Sequence, residues 1–349
     1  KAFTQEPSVL LPKKTAIING RIAISTDSFV INPIFFNGGD IGKLAICGTV
    51  NDISMSGAKP LYITVGFIIE EGLEIDELEK IVKSMADTAK KANVKIVTGD
   101  TKVVERGSCD KIYINTTGIG IIEDEKYYYS GDMVQAGDCI LLSGTIGDHG
   151  MCIMNNRENL GFDVDIKSDC CLLNFLIDDI LSVSKNVRVL RDPTRGGVAT
   201  TLNEIIEHSN ISIEIEEGSI PVKKEVSAMC DILGLDPLYV ANEGKLIVIV
   251  DKDDALKVLE IMRKNEVGHD AVILGKAIDD GKNKLYLKTK IGGKRIISMP
   301  DGELLVALSD GMGSGDRANA ESERLIEMLE QMTEIGFSEV TALRLINSY

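Results

Sequence analysis

At 349 residues, with 44% hydrophobic and 26% charged side chains, the chain is long enough to bury more than one core and reads as about two globular domains rather than a disordered segment. Its 54 acidic against 38 basic residues give a formal charge of −16, which repels phosphate backbones and anionic lipid, so neither nucleic acid nor membrane is an expected partner. No stretch approaches the roughly 20 apolar residues of a membrane span, residues 1–5 lack the apolar run of a secretory leader, and a cytoplasmic protein is expected.

Residues 21–26 and 61–69 have the apolar, β-branched texture of strands. Between them, residues 40–55 show helical spacing with Leu44, Gly48, Asp52 and Met55 on one face. From Ile75 onward, Leu78, Ile81, Val82, Met85, Ala86 and Ala89 recur at helical spacing opposite Glu74, Glu77, Lys80 and Lys83, which predicts an amphipathic helix lying on a sheet. Strands follow at 95–98 and 111–118, and a polar stretch at 123–126 marks a boundary. The second unit opens with a strand at 138–143, continues through a helix at 196–209, strands at 211–215 and 245–250 and a helix at 253–264, and runs to about Pro300. This order predicts α/β layers with mixed sheets: a domain over 1–125, a second over 131–300 and a tail over 304–349 with a strand at 304–309 and a helix at 321–333. The seven cysteines (47, 109, 139, 152, 170, 171 and 230) lack metal-ligand spacing and read as reduced structural thiols.

Candidate chemistry lies in aspartates and Gly-rich turns. Asp27 and Asp100 are expected to end strands, Asp192 precedes a helix, and Asp52 interrupts an otherwise small or apolar helical stripe, where a carboxylate needs a partner. Several carboxylates suit Mg²⁺ shared with phosphate oxygens, and ATP is the obvious source of those. The turns Ser143-Gly144-Thr145-Ile146-Gly147-Asp148-His149-Gly150 and Arg195-Gly196-Gly197 offer backbone N–H groups to an anion, and neither is a Walker loop. His149 reads as a hydrogen-bonding turn residue. Asn242-Glu243-Gly244-Lys245 is a natural turn into a strand, while a carboxylate such as Glu243 near a lysine such as Lys102 could also handle a proton.

Together the blocks Phe35-Phe36-Asn37-Gly38-Gly39-Asp40, Gly48-Thr49-Val50-Asn51-Asp52, Val97-Thr98-Gly99-Asp100-Thr101-Lys102, Ser143 to Gly150, Arg191-Asp192-Pro193-Thr194-Arg195-Gly196-Gly197 and Asn242 to Lys245 resemble the hydrogenase maturation carbamoyl dehydratases, over about residues 20–305. The resemblance implies a two-domain aminoimidazole-ribotide-synthetase-like fold and a homodimer formed by the first halves. It also implies an ATP- and Mg²⁺-dependent reaction that turns a protein-bound S-carboxamide into a thiocyanate for the iron of a nickel–iron hydrogenase. Carried onto this chain, Asp27, Asp52 and Asp192 would hold metal. Asp27, Asp52, Asp100, Thr101, Asp148, Asp192, Thr194, Gly196 and Gly197 would hold nucleotide, and Lys102 and Glu243 would serve the amide proton. The implied partners are the carbamoyltransferase that loads the carrier cysteine and the iron–cyanide scaffold complex.

The family pattern also includes an N-terminal His-Gly-x-Gly-Gly segment and a C-terminal Pro-Arg-x-Cys ending. Neither occurs here, and no cysteine follows Cys230, so without the carrier thiol the full reaction is not expected to close on this chain. The tail, with Leu308-Ser309-Asp310-Gly311-Met312-Gly313, is similar instead to the stage-II sporulation serine/threonine phosphatases, in which Asp310 would be a metal ligand. Two alternatives to the dehydratase are a non-catalytic dimerising or interaction module and a metal-dependent serine/threonine phosphatase built on the tail.

Overall fold

The structure is a computed structural model that describes residues 15–18, 22–122, 128–157, 164–207 and 209–299. The polar stretch at 123–126 and the whole tail, with Asp310 and the strand and helix expected there, lie outside the described residues.

The first half contains β1 (Thr15–Ile18), β2 (Ile22–Phe29), the short pair β3 (Phe35–Phe36) and β4 (Gly39–Asp40), α1 (Ile41–Met55), β5 (Lys59–Glu70), α2 (Ile75–Lys91), β6 (Lys95–Val104) and β7 (Ile112–Ile121). Its sheet runs β1-β2-β7-β5-β6. The pairings are antiparallel except β5 with β6, whose parallel register needs a crossover, and α2 supplies it. Strand alternation puts Ile63, Val65, Ile112 and Ile114 under α1 and α2.

The other face carries Ile22, Tyr62, Ile68 and Ile121, all exposed, and no described element covers it. Two expectations need correcting here. Asp27 and Asp100 do not end strands, because β2 continues to Phe29 and β6 to Val104. The strand signal of β6 is diluted by Gly99, Asp100 and Lys102, and the parallel ladder to β5 carries the extended backbone through them.

Helix α1 departs from the predicted stripe as well. Only Lys43 and Gly48 of its residues escape burial, so it is buried nearly all round rather than on one side. Asp40 caps its start, accepting the Gly42 and Lys43 N–H groups.

The second half contains β8 (Cys139–Leu142), α3 (Asp148–Arg157), α4 (Asn174–Val183), β9 (Val187–Arg191), α5 (Gly197–Glu207), β10 (Ser212–Glu216), α6 (Lys224–Leu233), β11 (Ile247–Val250), α7 (Ala255–Lys264), β12 (Val272–Ile278), β13 (Leu285–Lys288) and β14 (Lys294–Ile297). The sheet order is β14-β13-β10-β12-β8-β11-β9. Strand β11, Ile-Val-Ile-Val, paired between β8 and the edge strand β9, is buried throughout. Ile247 and Ile249 pack with Leu202 of α5, and Val248 and Val250 with Ile177 of α4 and Val258 of α7. A continuous apolar run is what a strand covered on both faces requires. The core beneath α1 and α2 extends into this half through Met151, Ile166, Cys170 and Val226, so the halves share apolar interior.

Candidate functional site

Three loops marked by the sequence converge on the buried side chain of Asn242. Its Oδ1 accepts the Gly147 N–H at 2.8 Å, and its Nδ2 donates to the Pro193 and Val240 carbonyls, both at 3.0 Å. The Asn242 backbone N–H also donates to the Pro193 carbonyl at 3.2 Å. A primary amide combines an acceptor with two donors, which is what tying these strands of chain together requires. The Gly-rich turn before α3, the Asp192 loop before α5 and the turn before β11 are thereby held as one unit. Gly196 and Gly197 take φ of +69° and +62° where the chain turns into α5, and a β-carbon on Gly197 would meet the Leu238 and Val240 carbonyls. The positive end of the α5 dipole faces the Asp192 loop, which suits an anion.

The turn before β11 is clamped from its other side. Asp169 Oδ1 accepts the Glu243 N–H at 3.1 Å, and Lys245 Nζ lies 3.3 Å from Asp169 Oδ2. A β-carbon on Gly244 would collide with the Asp169 carbonyl, so only glycine allows this approach. Asn51 of α1 donates to the carbonyls of Cys171 (3.0 Å) and Glu243 (3.5 Å) and accepts the Leu173 N–H (2.8 Å). Asp52 follows it on the same helix, buried, with the Ser25 hydroxyl donating to Oδ2 at 3.0 Å. Asp27, two residues beyond Ser25, lies on the same face of β2, and its carboxylate accepts the Ser28 N–H at 2.9 Å. A path therefore leads from Ser25 through Asp52 and its helix neighbour Asn51 to Glu243, with Asp27 on the same face of β2 as Ser25.

Asp148, at the start of α3, is buried. Its Oδ2 accepts the Thr145 hydroxyl at 2.6 Å and lies 3.0 Å from Lys223 Nζ, while its Oδ1 has no hydrogen-bond partner among the described residues. Such an orphaned oxygen in a polar cluster is a place for a ligand group or a water. Burial works against a charge on Lys245, yet Asp169 first, then Cys171 and Asp148, outweigh it and raise the pKa above the ordinary lysine value. Lys245 therefore remains an ammonium inside the protein.

His149 is hydrogen-bonded as expected, through Nδ1 to Ser168 Oγ at 2.8 Å and buried edge-on to Phe36, but it lies in the first turn of α3 rather than in the preceding turn. Burial lowers its pKa from 6.5 to about 4, against an opposing pull from Asp169. The unfolded chain then binds the proton that the folded one refuses, so folding stability is lost as pH falls from about 6.5 towards 4. The loss amounts to about 3 kcal/mol. In chemical denaturation at a series of pH values, His149→Gln is expected to flatten that part of the profile, and an unchanged slope would assign the acid sensitivity to other groups.

The described thiols fit a structural role. All seven cysteines are free, and burial first among the causes pushes Cys171 and Cys230 up to about 12 and raises Cys109, Cys139 and Cys152. A thiol held protonated is a poor nucleophile.

Asp100, Thr101 and Lys102 stand apart from this cluster. All three lie on the edge strand β6, with Lys102 Nζ 3.9 Å from Asp100 Oδ2 and both side chains about three-quarters exposed, at 74% and 77%. In register with Gly66 and Ile68, Asp100 and Lys102 belong to the open face of the sheet, opposite the face that carries Asp27 and lies under α1, the helix of Asp52. A single chain thus divides the expected site residues between two faces. Asp192 and Thr194 lie in the loop anchored by Asn242, partly exposed.

Among the described residues no three His, Cys, Asp or Glu side chains form a preassembled metal cage. The donor set fits Mg²⁺ held by one or two carboxylates and completed by phosphate oxygens, which is the usual way that ion is bound. Asp169, and the tying roles of Asn51 and Asn242, had no sequence signal beyond their neighbourhood: a buried carboxylate in an irregular segment leaves no periodicity to read.

The AIR synthase related proteins match this chain in two pieces, their N-terminal domain over residues 13–122 and their C-terminal domain over residues 135–288. Carbamoyl dehydratase HypE of Cupriavidus necator is 49% identical over 285 residues, 82% of this chain and 81% of that protein. Among solved structures, the HypE of a HypE–HypF complex superposes with a TM-score of 0.79 at 52% identity, over 82% of this chain and 93% of that one. A hydrogenase maturation protein HypE in complex with ATP gives 0.78 at 47% identity, over 82% and 87%. Among the described residues no helix is long and apolar enough to cross a membrane.

Proposed function

Since this chain belongs to the HypE carbamoyl dehydratases, we propose that it dehydrates a protein-bound S-carboxamide to a thiocyanate in nickel–iron hydrogenase maturation, at the expense of ATP. The observation that carries the reading is the convergence of the Gly147, Asp192 and Glu243 loops on Asn242, joined through Asn51 to the buried carboxylate of Asp52. The identity to dehydratases over most of the chain favours this over a non-catalytic module.

A carboxamide oxygen leaves poorly, and ATP with Mg²⁺ supplies the phosphoryl group that makes it a leaving group. In balance, R–S–C(O)NH₂ and ATP become R–S–C≡N, ADP, phosphate and a proton. On this chain Asp27, Asp52 and Asp192 would hold the cation, and Asp100, Thr101, Asp148, Thr194, Gly196 and Gly197 would complete the nucleotide site. Glu243 would take up the amide proton, with Lys102 assisting.

Because Asp100 and Lys102 stand on the open, apolar face of the first sheet, their participation fits a homodimer that covers that face. The working units are then a dimerising, nucleotide-binding domain over 1–125 and a synthetase-like domain over 131–300. We assign the chain to the cytoplasm, with a carbamoyltransferase and the iron–cyanide scaffold complex as partners.

The test supplies the thiol in trans. Purified chain with Mg-ATP and a peptide carrying S-carbamoylcysteine is expected to yield a thiocyanate nitrile band in the infrared in step with ADP, and the same sample should sediment as a dimer. ADP without the nitrile, or neither product, overturns the reading.

A further inference from the structure

Asp169 and Lys245 form an ion pair whose side chains are only 2% and 11% exposed. Burying two charges costs several kcal/mol per ion before their attraction offsets it, so such a pair is a poor way to gain stability alone. Its position suggests another use. Lys245 is the last residue of the Asn242-Glu243-Gly244-Lys245 turn, and Asp169 reaches across to that same turn with its second oxygen on the Glu243 N–H. The carboxylate is therefore held at one oxygen by Lys245 and at the other by the backbone amide of Glu243. Cys171 closes the clamp through a thiol contact of 3.4 Å to the Gly244 carbonyl. The Glu243 backbone is thus fixed on both sides of its Cα, and its side chain is partly exposed.

We propose that Asp169, oriented by Lys245, is the positioning residue for Glu243: it fixes the amide of the residue that receives the carboxamide proton and so sets the direction of that carboxylate. The inference rests on the dehydratase reading above. Misplacing a proton acceptor by about 1 Å is enough to cost about a hundredfold in rate. Asp169 touches neither nucleotide nor carboxamide in this scheme, so its effect falls on turnover and not on nucleotide affinity.

The experiment uses the S-carbamoylcysteine peptide assay with paired variants that leave no lone buried charge. Asp169→Ala/Lys245→Met removes both charges and the acceptor. It is expected to lower kcat about a hundredfold while leaving the KM for Mg-ATP unchanged. Asp169→Asn/Lys245→Met removes the same charges but keeps an amide oxygen for the Glu243 N–H, and is expected to recover most of that loss. In a Glu243→Gln background the alanine pair should cost nothing further, since a residue acting through Glu243 has no effect once Glu243 is disabled. If the alanine pair does not fold, Asp169→Ser/Lys245→Met, whose hydroxyl is too short to reach the amide, takes its place in the same cycle. Equal losses in the Ala and Asn pairs, a raised KM for Mg-ATP, or additivity with Glu243→Gln overturns the proposal. An inactive wild-type chain would instead overturn the dehydratase reading and this inference with it, whereas an active wild type with silent variants removes only the inference.

Discussion

Asp52→Ala is expected to eliminate Mg-ATP binding from a chain that remains folded. The carboxylate sits on α1 beside Asn51, with one oxygen engaged by Ser25, where the helix passes from the first sheet to the segment around Leu173. Its removal leaves Ser25 without that acceptor, a cost of about 1 kcal/mol, which a domain of ordinary stability tolerates. The binding cost is larger. Losing a residue that merely supports a metal ligand already lowers affinity by about 10- to 100-fold, so if Asp52 holds the cation as proposed, its loss is expected to exceed the upper end of that range. Calorimetric titration of wild type and variant with Mg-ATP separates the outcomes. Equal affinity in the two proteins would remove Asp52 from the site and return its burial to a packing role.

The second large effect concerns stability. Asn242→Ala strips partners from the Gly147 N–H and the Val240 carbonyl and weakens the Pro193 carbonyl's bonding, all in the interior. With an orphaned buried group costing about 1–3 kcal/mol, the expected loss is about 3–5 kcal/mol. That is a large share of the roughly 5–15 kcal/mol by which domains are stable. A urea titration should show a markedly lower midpoint with little change in slope. Asn242→Asp keeps the acceptor for Gly147 but turns a buried carboxylate oxygen onto the Pro193 and Val240 carbonyls, so its midpoint should fall at least as far as that of the alanine variant. An unchanged midpoint in the alanine variant would mean that the three loops hold their places without Asn242.

How much of this was legible in the sequence follows from what each element buries. Helix α2 was plain because one face is wet, and Ile81, Met85 and Ala89 repeat at the helical period under a charged exterior. Helix α1 defeated the same reading: it is buried nearly all round, so no contrast between faces marks which side is inward. Strand β11 was visible as an unbroken apolar run, whereas most of β6, with Gly99 and two charges, resembled a loop. For the site, Asp52 was conspicuous as a charge in an apolar stripe, and the Asp192 and Glu243 turns as Gly-rich punctuation. What stayed hidden was which loops meet, because Asn242 and Asp169 act across 95 and 74 residues of chain. Periodicity reports local geometry, and contacts at that separation depend on the packing of both sheets.

The near-complete burial of α1 has a consequence for how the protein is made. The helix emerges from the ribosome well before residues 166–173, the segment that covers its far side through Asn51 and Leu173. Until that segment arrives, one flank of a highly apolar helix has only solvent against it, and such transient surfaces promote aggregation. That flank is covered only once residues 166–173 have been made, when β8 is the one strand of the second sheet already synthesised.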